Sequence, residues 1–411
     1  MPTPVDKSSP SYRRALILIV MFGVISFFSD LTYQAGRSLN GPFLALLGAD
    51  AAVVGLVAGL AEFLGYAVRL LTGSLVDRSK AYWAFTLGGY AMVASVPLLA
   101  LSGTWQMAAL FIVLERLSKA VRAPAKDTIL SMAARRVGTG YGFALHKIMD
   151  QAGAILGPLL MALLLSGFLG HSLHSADSYR QALTWLWIPF AIMIAAVLFG
   201  QSRAPNPQAL EVELSGPTAS VEAPEKLSRT FWIYSVFTLL AGMGFINFAL
   251  LAFHAKTTGL LPDAAIPFWY AAAMATNGVA AFFVGRWYDK KGLKVLYAVP
   301  LLSLPLPFLG FLGSNSGLLI AAILLFGFSL GIQETVIKAG IADLTPLKKR
   351  GTGYGIFNTM NGVGLLASGA VMGLLYDVSP LAVCAFSATA EIAGLVVLVV
   401  LLKGKKSATQ A

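Results

Sequence analysis

Long apolar runs separated by short polar connections fill almost the whole chain, and their spacing predicts a protein built from helices that cross a lipid bilayer. Each run is long enough for a hydrocarbon core of about 30 Å. In the first half the pattern predicts spanning helices over 15–46, 51–73, 81–102, 105–133, 138–168 and 181–201. In the second half it predicts them over 229–257, 263–287, 293–313, 316–344, 351–376 and 379–402. Residues 202–228 are rich in Pro, Ser and Glu and read as a polar linker. The expected architecture is therefore an all-α integral membrane fold. Its twelve transmembrane helices divide into six-helix bundles over 15–201 and 229–402, with short tails over 1–14 and 403–411. The first apolar run follows Arg13 and Arg14 as a signal peptide would, but it continues to Leu47 without a small-residue cleavage pattern, so it is expected to be retained.

Composition narrows the class. The chain is 57% hydrophobic and only 12% charged, which excludes a soluble globular protein. A net charge of +11 would suggest nucleic acid for a soluble domain. Here the basic residues sit on alternate connections, such as Arg78 with Lys80, Arg135 with Arg136, Lys290 with Lys291, and Lys348 with Lys349. Topology accounts for the charge, and no nucleic acid partner is expected. The positive-inside rule puts both termini and the linker in the cytoplasm, in what is expected to be a bacterial inner membrane. Trp83, Trp105, Trp185, Trp187, Trp232 and Trp287 lie near expected helix ends, where indoles suit the headgroup region. Cys384 is the single cysteine, and His171 with His174 is a poor zinc signature. No metal and no cofactor are expected, and the protein is expected to be a monomer.

The two halves repeat. Gly138-Thr-Gly-Tyr-Gly142 opens the fifth expected helix and Gly351-Thr-Gly-Tyr-Gly355 opens the eleventh. Gly73-Ser-Leu-Val-Asp77-Arg78 follows the second, and Gly285-Arg-Trp-Tyr-Asp289-Lys290 follows the eighth. Six helices repeated in one orientation imply two bundles related by an axis along the membrane normal, with a site at their interface near the midplane.

With these landmarks the chain resembles a transporter of the major facilitator superfamily along all twelve spans, and drug/proton antiporters in particular. Gly73-x-x-x-Asp77-Arg78 is similar to the family's motif between the second and third helices. Arg116-Leu-Ser-Lys119 is similar to its fourth-helix motif, with Lys119 in place of the usual Gln. Gly153-x-x-x-Gly157-Pro158 is similar to the start of the fifth-helix motif of exporters. The resemblance implies alternating access to a small-molecule site.

Charged residues inside the spans are the candidate chemistry, because an ionisable group there is costly unless it has partners. At helical spacing Asp30, Tyr33, Gln34 and Arg37 share one face of the first helix. Asp30 and Arg37 are seven residues apart, about 10 Å along a helix, too far to pair directly, so partners are expected from other helices. Glu62, Tyr66 and Arg69 form a second stripe, and Glu115, Arg116, Lys119 and Arg122 lie on the fourth helix. His146, Asp150, Gly153 and Gly157 form a further stripe on the fifth. Proton coupling needs a carboxylate that binds and releases a proton as the cavity alternates. Asp30 is the first choice, followed by Asp150 and Glu62, with Glu115 as another acid near the midplane and His146 as a possible shuttle partner. Permanent pairing of these acids with Arg37, Arg69, Arg116 or Arg122 is the structural alternative. The second bundle offers far less charge, chiefly Glu334 and Lys338, with Asn247, His254, Asn358 and Asn361 as polar candidates for substrate contact or helix contact. Coupling is accordingly expected in the first bundle. Asp77 and Asp289 are expected to cap the helices starting at Gly351 and Gly138 respectively, each stabilising one closed state.

Two apparent enzyme motifs are rejected. Gly327-Phe-Ser329-Leu-Gly331 matches a nucleophile elbow but lies inside a span, and the Gly-Thr-Gly-Tyr-Gly pairs lack a phosphate loop's Lys. The chain is expected to be a secondary transporter rather than an enzyme, a proton-coupled exporter of small organic molecules. A proton-coupled importer of an anionic solute is the alternative within transport, and a non-transporting membrane receptor or sensor is the alternative outside it.

Overall fold

The computed structural model describes residues 10–137, 139–168, 175–206, 227–345 and 350–410, and no strand occurs among them. In the first half α1 runs Pro10–Leu46, α2 Ala51–Ser79, α3 over 82–101, α4 Trp105–Val137, α5 over 139–168 and α6 over 176–203. In the second, α7 spans 229–257, α8 Ala265–Lys291, α9 298–311, α10 316–344, α11 Arg350–Val378 and α12 Pro380–Gln410. Ten stretches qualify as spans by length and hydropathy. One of them, 265–311, holds both α8 and α9 around a break at Gly292, and α4, which carries Glu115, Arg116, Lys119 and Arg122 within its span, is not among the ten.

Helix ends follow local chemistry. Asp50 accepts from Val53 N at 2.8 Å to start α2, Ser228 accepts from Phe231 N at 3.2 Å to start α7, and Asn315 accepts from Leu318 N at 2.9 Å to start α10. The packing repeats between halves as the sequence does. In the first half α1 lies on α5 and α6 while α2 lies on α4; in the second α7 lies on α11 and α12 while α8 lies on α10. Glycines set the approach: Gly153 and Gly157 press α5 onto the backbone of α1 at Phe27 and Leu31, and Gly327 and Gly331 press α10 onto α8 at Ala273 and Asn277. The false nucleophile elbow is thus a helix contact.

Breaks in α7 and α10 shape the centre. Between Gly244 and Phe248 α7 unwinds, which frees carbonyls that membrane cannot hydrate. Ser387 Oγ donates to Gly244 O at 2.6 Å and Ser368 Oγ to Phe245 O at 2.5 Å. Asn247 accepts from Ala249 N at 2.8 Å and restarts the helix. In α10 a wider turn over Gln333–Ile337 turns Gln333 and Glu334 toward the interior.

The bundles meet along α2 with α11, α5 with α8, and α1 with the second half of α7, Phe248–Thr257. The tightest crossings lie at the end away from the basic loops. There Gly55 and Gly59 face Gly369 and the backbone of Leu365 and Leu366, Gly373 faces Ala51, and Gly41 faces Ala249 and Phe253. Asp377 also accepts from Ala52 N at 3.2 Å. Toward the basic end, Gly73 meets nothing among the described residues and Gly285 only the Thr335 methyl. A Cβ at Gly369 would meet the backbone of Gly55 and Gly59, which cannot step aside. Gly369→Val is expected to cost this closed crossing roughly 1–3 kcal/mol, a five- to 150-fold loss of its population. Spin-label distances between the start of α2 and the end of α11 check this.

Candidate functional site

A cavity of about 230 Å³ lies between the bundles, walled by α1, α2, α4 and α5 on one side and by α7, α8, α10 and α11 on the other. Its first-bundle wall holds two linked charge clusters. In the first, Glu62 on α2 accepts from Arg37 Nη2 on α1 at 2.7 Å and also from Arg116 Nη2 on α4. Arg116 Nε lies 3.8 Å from Glu115 Oε2, outside hydrogen-bond range. One carboxylate thus bridges two guanidiniums and ties three helices together, and Arg37 finds its partner on another helix as the spacing requires.

The second cluster surrounds Asp30, which is buried. Tyr33 donates its hydroxyl to Asp30 Oδ2 at 3.1 Å, and Lys119 Nζ lies 3.4 Å from the same hydroxyl, over the Tyr33 ring. Asp150 on α5 is within side-chain hydrogen-bond reach of Asp30, and it accepts from Lys147 Nζ at 2.9 Å. Two carboxyls this close form a place where one proton can be held between them. Lys119 and Lys147 approach this pair of acids from different helices.

The second-bundle wall is more neutral. Tyr270 donates to Gln34 Oε1 at 2.8 Å, Gln34 Nε2 donates to Met274 Sδ at 3.8 Å, and Gln151 Nε2 donates to Met274 O at 2.7 Å, so three hydrogen bonds cross between bundles beside the cavity. Glu334 is neighboured by Lys338 and Asn277. Asn247 and Asn361 line the space as well. Phe245 stacks on Phe326 at 5.4 Å and Phe248 lies against Tyr270 at 4.2 Å, giving this side an aromatic surface. Arg69 lines the cavity 5.9 Å from the Tyr66 ring, its Nε without a hydrogen-bond partner among the described residues.

Other expected positions fall elsewhere. Arg122 is buried behind the lining, bonded to Ser118 at 2.5 Å and Ser29 at 3.2 Å, with its guanidinium 5.0 Å from the Tyr90 ring. His146 pairs with Ser26 Oγ at 2.8 Å, and neither it nor Asn358 belongs to the lining. His254 on α7 bonds Tyr376 on α11 at 2.6 Å, within the second bundle. Gly153 and Gly157 pack α5 on α1, with Pro158 inside α5. Asp77, Arg78 and Asp289 are exposed. The partners of the expected caps lie outside the described residues, namely Gly138, the side chains of Thr139 and Thr352 and the surroundings of Gly351; His171 and His174 lie outside them too.

Sequence reasoning missed Lys147, Gln151, Tyr270, Asn277 and Gln333 as lining residues. Lys147 carried a signal, since it stands three residues before Asp150 on one helix face. It also missed Glu391, buried in the second bundle as an acid in the apolar run of α12.

The model of the Major Facilitator Superfamily matches residues 24–261 and again 235–411. An uncharacterised protein of Mycobacterium tuberculosis is 39% identical over 365 residues, 88% of this chain and 87% of its own length. An uncharacterised MFS-type transporter of Methanocaldococcus jannaschii is 26% identical over 391 residues, 92% of each chain. Among solved structures, the nucleoside transporter NupG superposes with a TM-score of 0.69 at 15% identity, covering 94% of this chain and 98% of that one. A POT family transporter in complex with 5-aminolevulinic acid gives 0.70 at 12% identity, covering 93% and 95%. These two share the fold, while the family match spans the chain in two successive repeats and makes it a multi-pass transporter rather than an enzyme. The chain belongs to the Major Facilitator Superfamily.

Proposed function

We propose that this secondary transporter is a proton-coupled exporter, working by rocking of the bundles 15–201 and 229–402 about the central cavity. The observation that carries the coupling is the pair of the buried Asp30 and the part-exposed Asp150 on facing helices, with Lys119 and Lys147 beside it. Binding a proton there removes a negative charge from between the two lysines and changes what the cavity holds electrostatically. The linker 202–228 and both termini lie on the cytoplasmic side, the basic end, and the tight glycine crossings lie on the external side. The state described is then closed outward, and solute enters from the cytoplasm. Export also fits the Gly153-x-x-x-Gly157-Pro158 segment, whose glycines hold α5 on α1.

The substrate is a small polar organic molecule with a planar or apolar part, matched by the charged wall of α1, α2 and α4 and by the aromatic wall of Phe245, Phe248 and Tyr270. Import of an anionic solute is a second reading, favoured by Arg69, whose Nε has no hydrogen-bond partner among the described residues. The transporter works as a monomer in a bacterial inner membrane.

Reconstituted protein decides between these. Compounds that raise its thermal stability are first identified, since a ligand of the folded state shifts unfolding. Their flux is then followed in proteoliposomes with an imposed pH gradient and an internal pH dye. Opposed movement of solute and protons supports export by exchange. Movement in the same direction supports the importer, and flux without proton movement sinks coupling altogether.

A further inference from the structure

Glu391 is 1% exposed in the middle of α12, and it does not line the central cavity. Neither carboxylate oxygen has a hydrogen-bond partner among the described residues. A buried acid without donors carries a large cost as an anion, so a purely structural use would favour an apolar residue of the same size.

Its position connects it to two working parts. The first is the break in α7. A Cβ added at Gly244 would fall 2.6 Å from Glu391 Cγ and 2.7 Å from Oε1, so the acid lies directly against the last residue before the unwound segment. Ser387, one turn earlier on α12, already donates to the Gly244 carbonyl at 2.6 Å. Beyond the break the outer half of α7, Phe248–Thr257, brings Ala249 and Phe253 against Gly41 of α1. That contact is part of the crossing that shuts the outer end.

The second part is the cavity itself. Ser303 on α9 lies beside Glu391, near enough to act on it but short of a formed hydrogen bond. Ser303 Oγ accepts from Gln333 Nε2 at 3.2 Å, which leaves the Ser303 O–H free to turn toward the acid. Gln333 lines the cavity. A solute that takes the Gln333 amide therefore loosens the group that orients Ser303, and Glu391 feels occupancy from one side and the α7 break from the other.

We propose that Glu391 is a second proton-binding site of the transporter, set in the second bundle at the α7 break and linked to the cavity through Ser303 and Gln333. Uptake forms one O–H bond on a Glu391 oxygen, with the proton supplied by a hydronium or buffer acid reaching the cavity, and leaves the group neutral. The new O–H is a donor set against the Gly244 backbone, where a carbonyl that already accepts from Ser387 can take a second bond, so the neutral acid favours the packed α7 break. Release restores an anion against the same backbone and disfavours that packing. No charged or titratable side chain among the described residues acts on Glu391 from the helices packed on it: α7 presents Gly244 and α9 Ser303. Its titration is therefore its own.

The inference rests on the transport reading for its use, but proton binding is measured without any solute. The full chain is reconstituted in lipid, and infrared difference spectra are recorded between acidic and alkaline buffer in wild type, Glu391→Gln, Ser303→Ala and Asp30→Asn. A protonated-carboxyl band that is lost in Glu391→Gln and kept in Asp30→Asn is the expected result. In Ser303→Ala the acid remains, and the midpoint of that band is expected to move. A Glu391 band that ignores pH, a band that answers to Na⁺ at fixed pH, or an unmoved midpoint in Ser303→Ala overturns the proposal. Loss of solute-coupled proton flux in Asp30→Asn with the Glu391 band intact leaves both readings standing. Coupling that survives Asp30→Asn removes the first-bundle site while Glu391 still titrates.

Discussion

Glu62→Gln is expected to lower the stability of the folded protein by about 3 kcal/mol and to abolish transport. Removing one member of a buried ion pair typically costs roughly 3–5 kcal/mol, because the partner charge is left without compensation. Here two guanidiniums are stranded, since Glu62 accepts from both Arg37 and Arg116. The lower end of the range applies, because Glu62 is 18% and Arg37 26% exposed to the cavity and water screens part of the loss. Glu115 does not take over, as its nearest approach to Arg116 is 3.8 Å through Nε. Denaturation of purified protein in detergent measures the change. The double variant Arg37→Gln with Glu62→Gln is expected to recover part of it, because one stranded charge is then gone, and a purely additive pair would show that the bridge carries no interaction energy.

The same residues show what could be read from the chain and what could not. All twelve helices were legible, because a bilayer demands long unbroken apolar runs and the basic connections punctuate them. That Arg37 must find an acid on another helix followed from 10 Å of separation along α1. Which acid it finds did not follow, since that depends on the rotation of α2 and α4 about their axes, and glycines such as Gly55 and Gly59 set this by contacts made in the other bundle. Asn247 looked like a cavity residue and is also the cap that restarts α7, a role visible only once Gly244 and Phe245 are seen unwound. Tyr270 and the aromatic surface near Phe248 escaped notice, because lining and lipid-facing positions share one alphabet of Phe, Leu and Ala. Glu391 is hidden for a different reason: it belongs to no stripe of charged residues and stands in an apolar run, with Ser387 one turn away.

Asp30→Asn is expected to abolish solute accumulation driven by a pH gradient while sparing exchange of labelled for unlabelled solute. The substitution keeps the shape of the group, and the amide oxygen can still accept from the Tyr33 hydroxyl that now lies 3.1 Å from Oδ2. What it removes is the second carboxyl of the pair with Asp150. An amide does not bind and release a proton at these pH values, so the cavity reorients with fixed charge at this position and the gradient has nothing to act on. Exchange needs only binding and rocking, and both remain. A tenfold loss of gradient-driven uptake, equivalent to about 1.4 kcal/mol of coupling, is the least that agrees with a central role. Asp150→Asn makes the useful contrast, because it also strips Lys147 of its partner at 2.9 Å and so leaves an uncompensated lysine beside the cavity. It should impair exchange as well as accumulation. Were Asp30→Asn to accumulate solute as the wild type does, the acid would be structural. The proton would then have to be carried elsewhere among Glu62, Glu115 and Glu391, of which Glu62 is the one already held by two arginines.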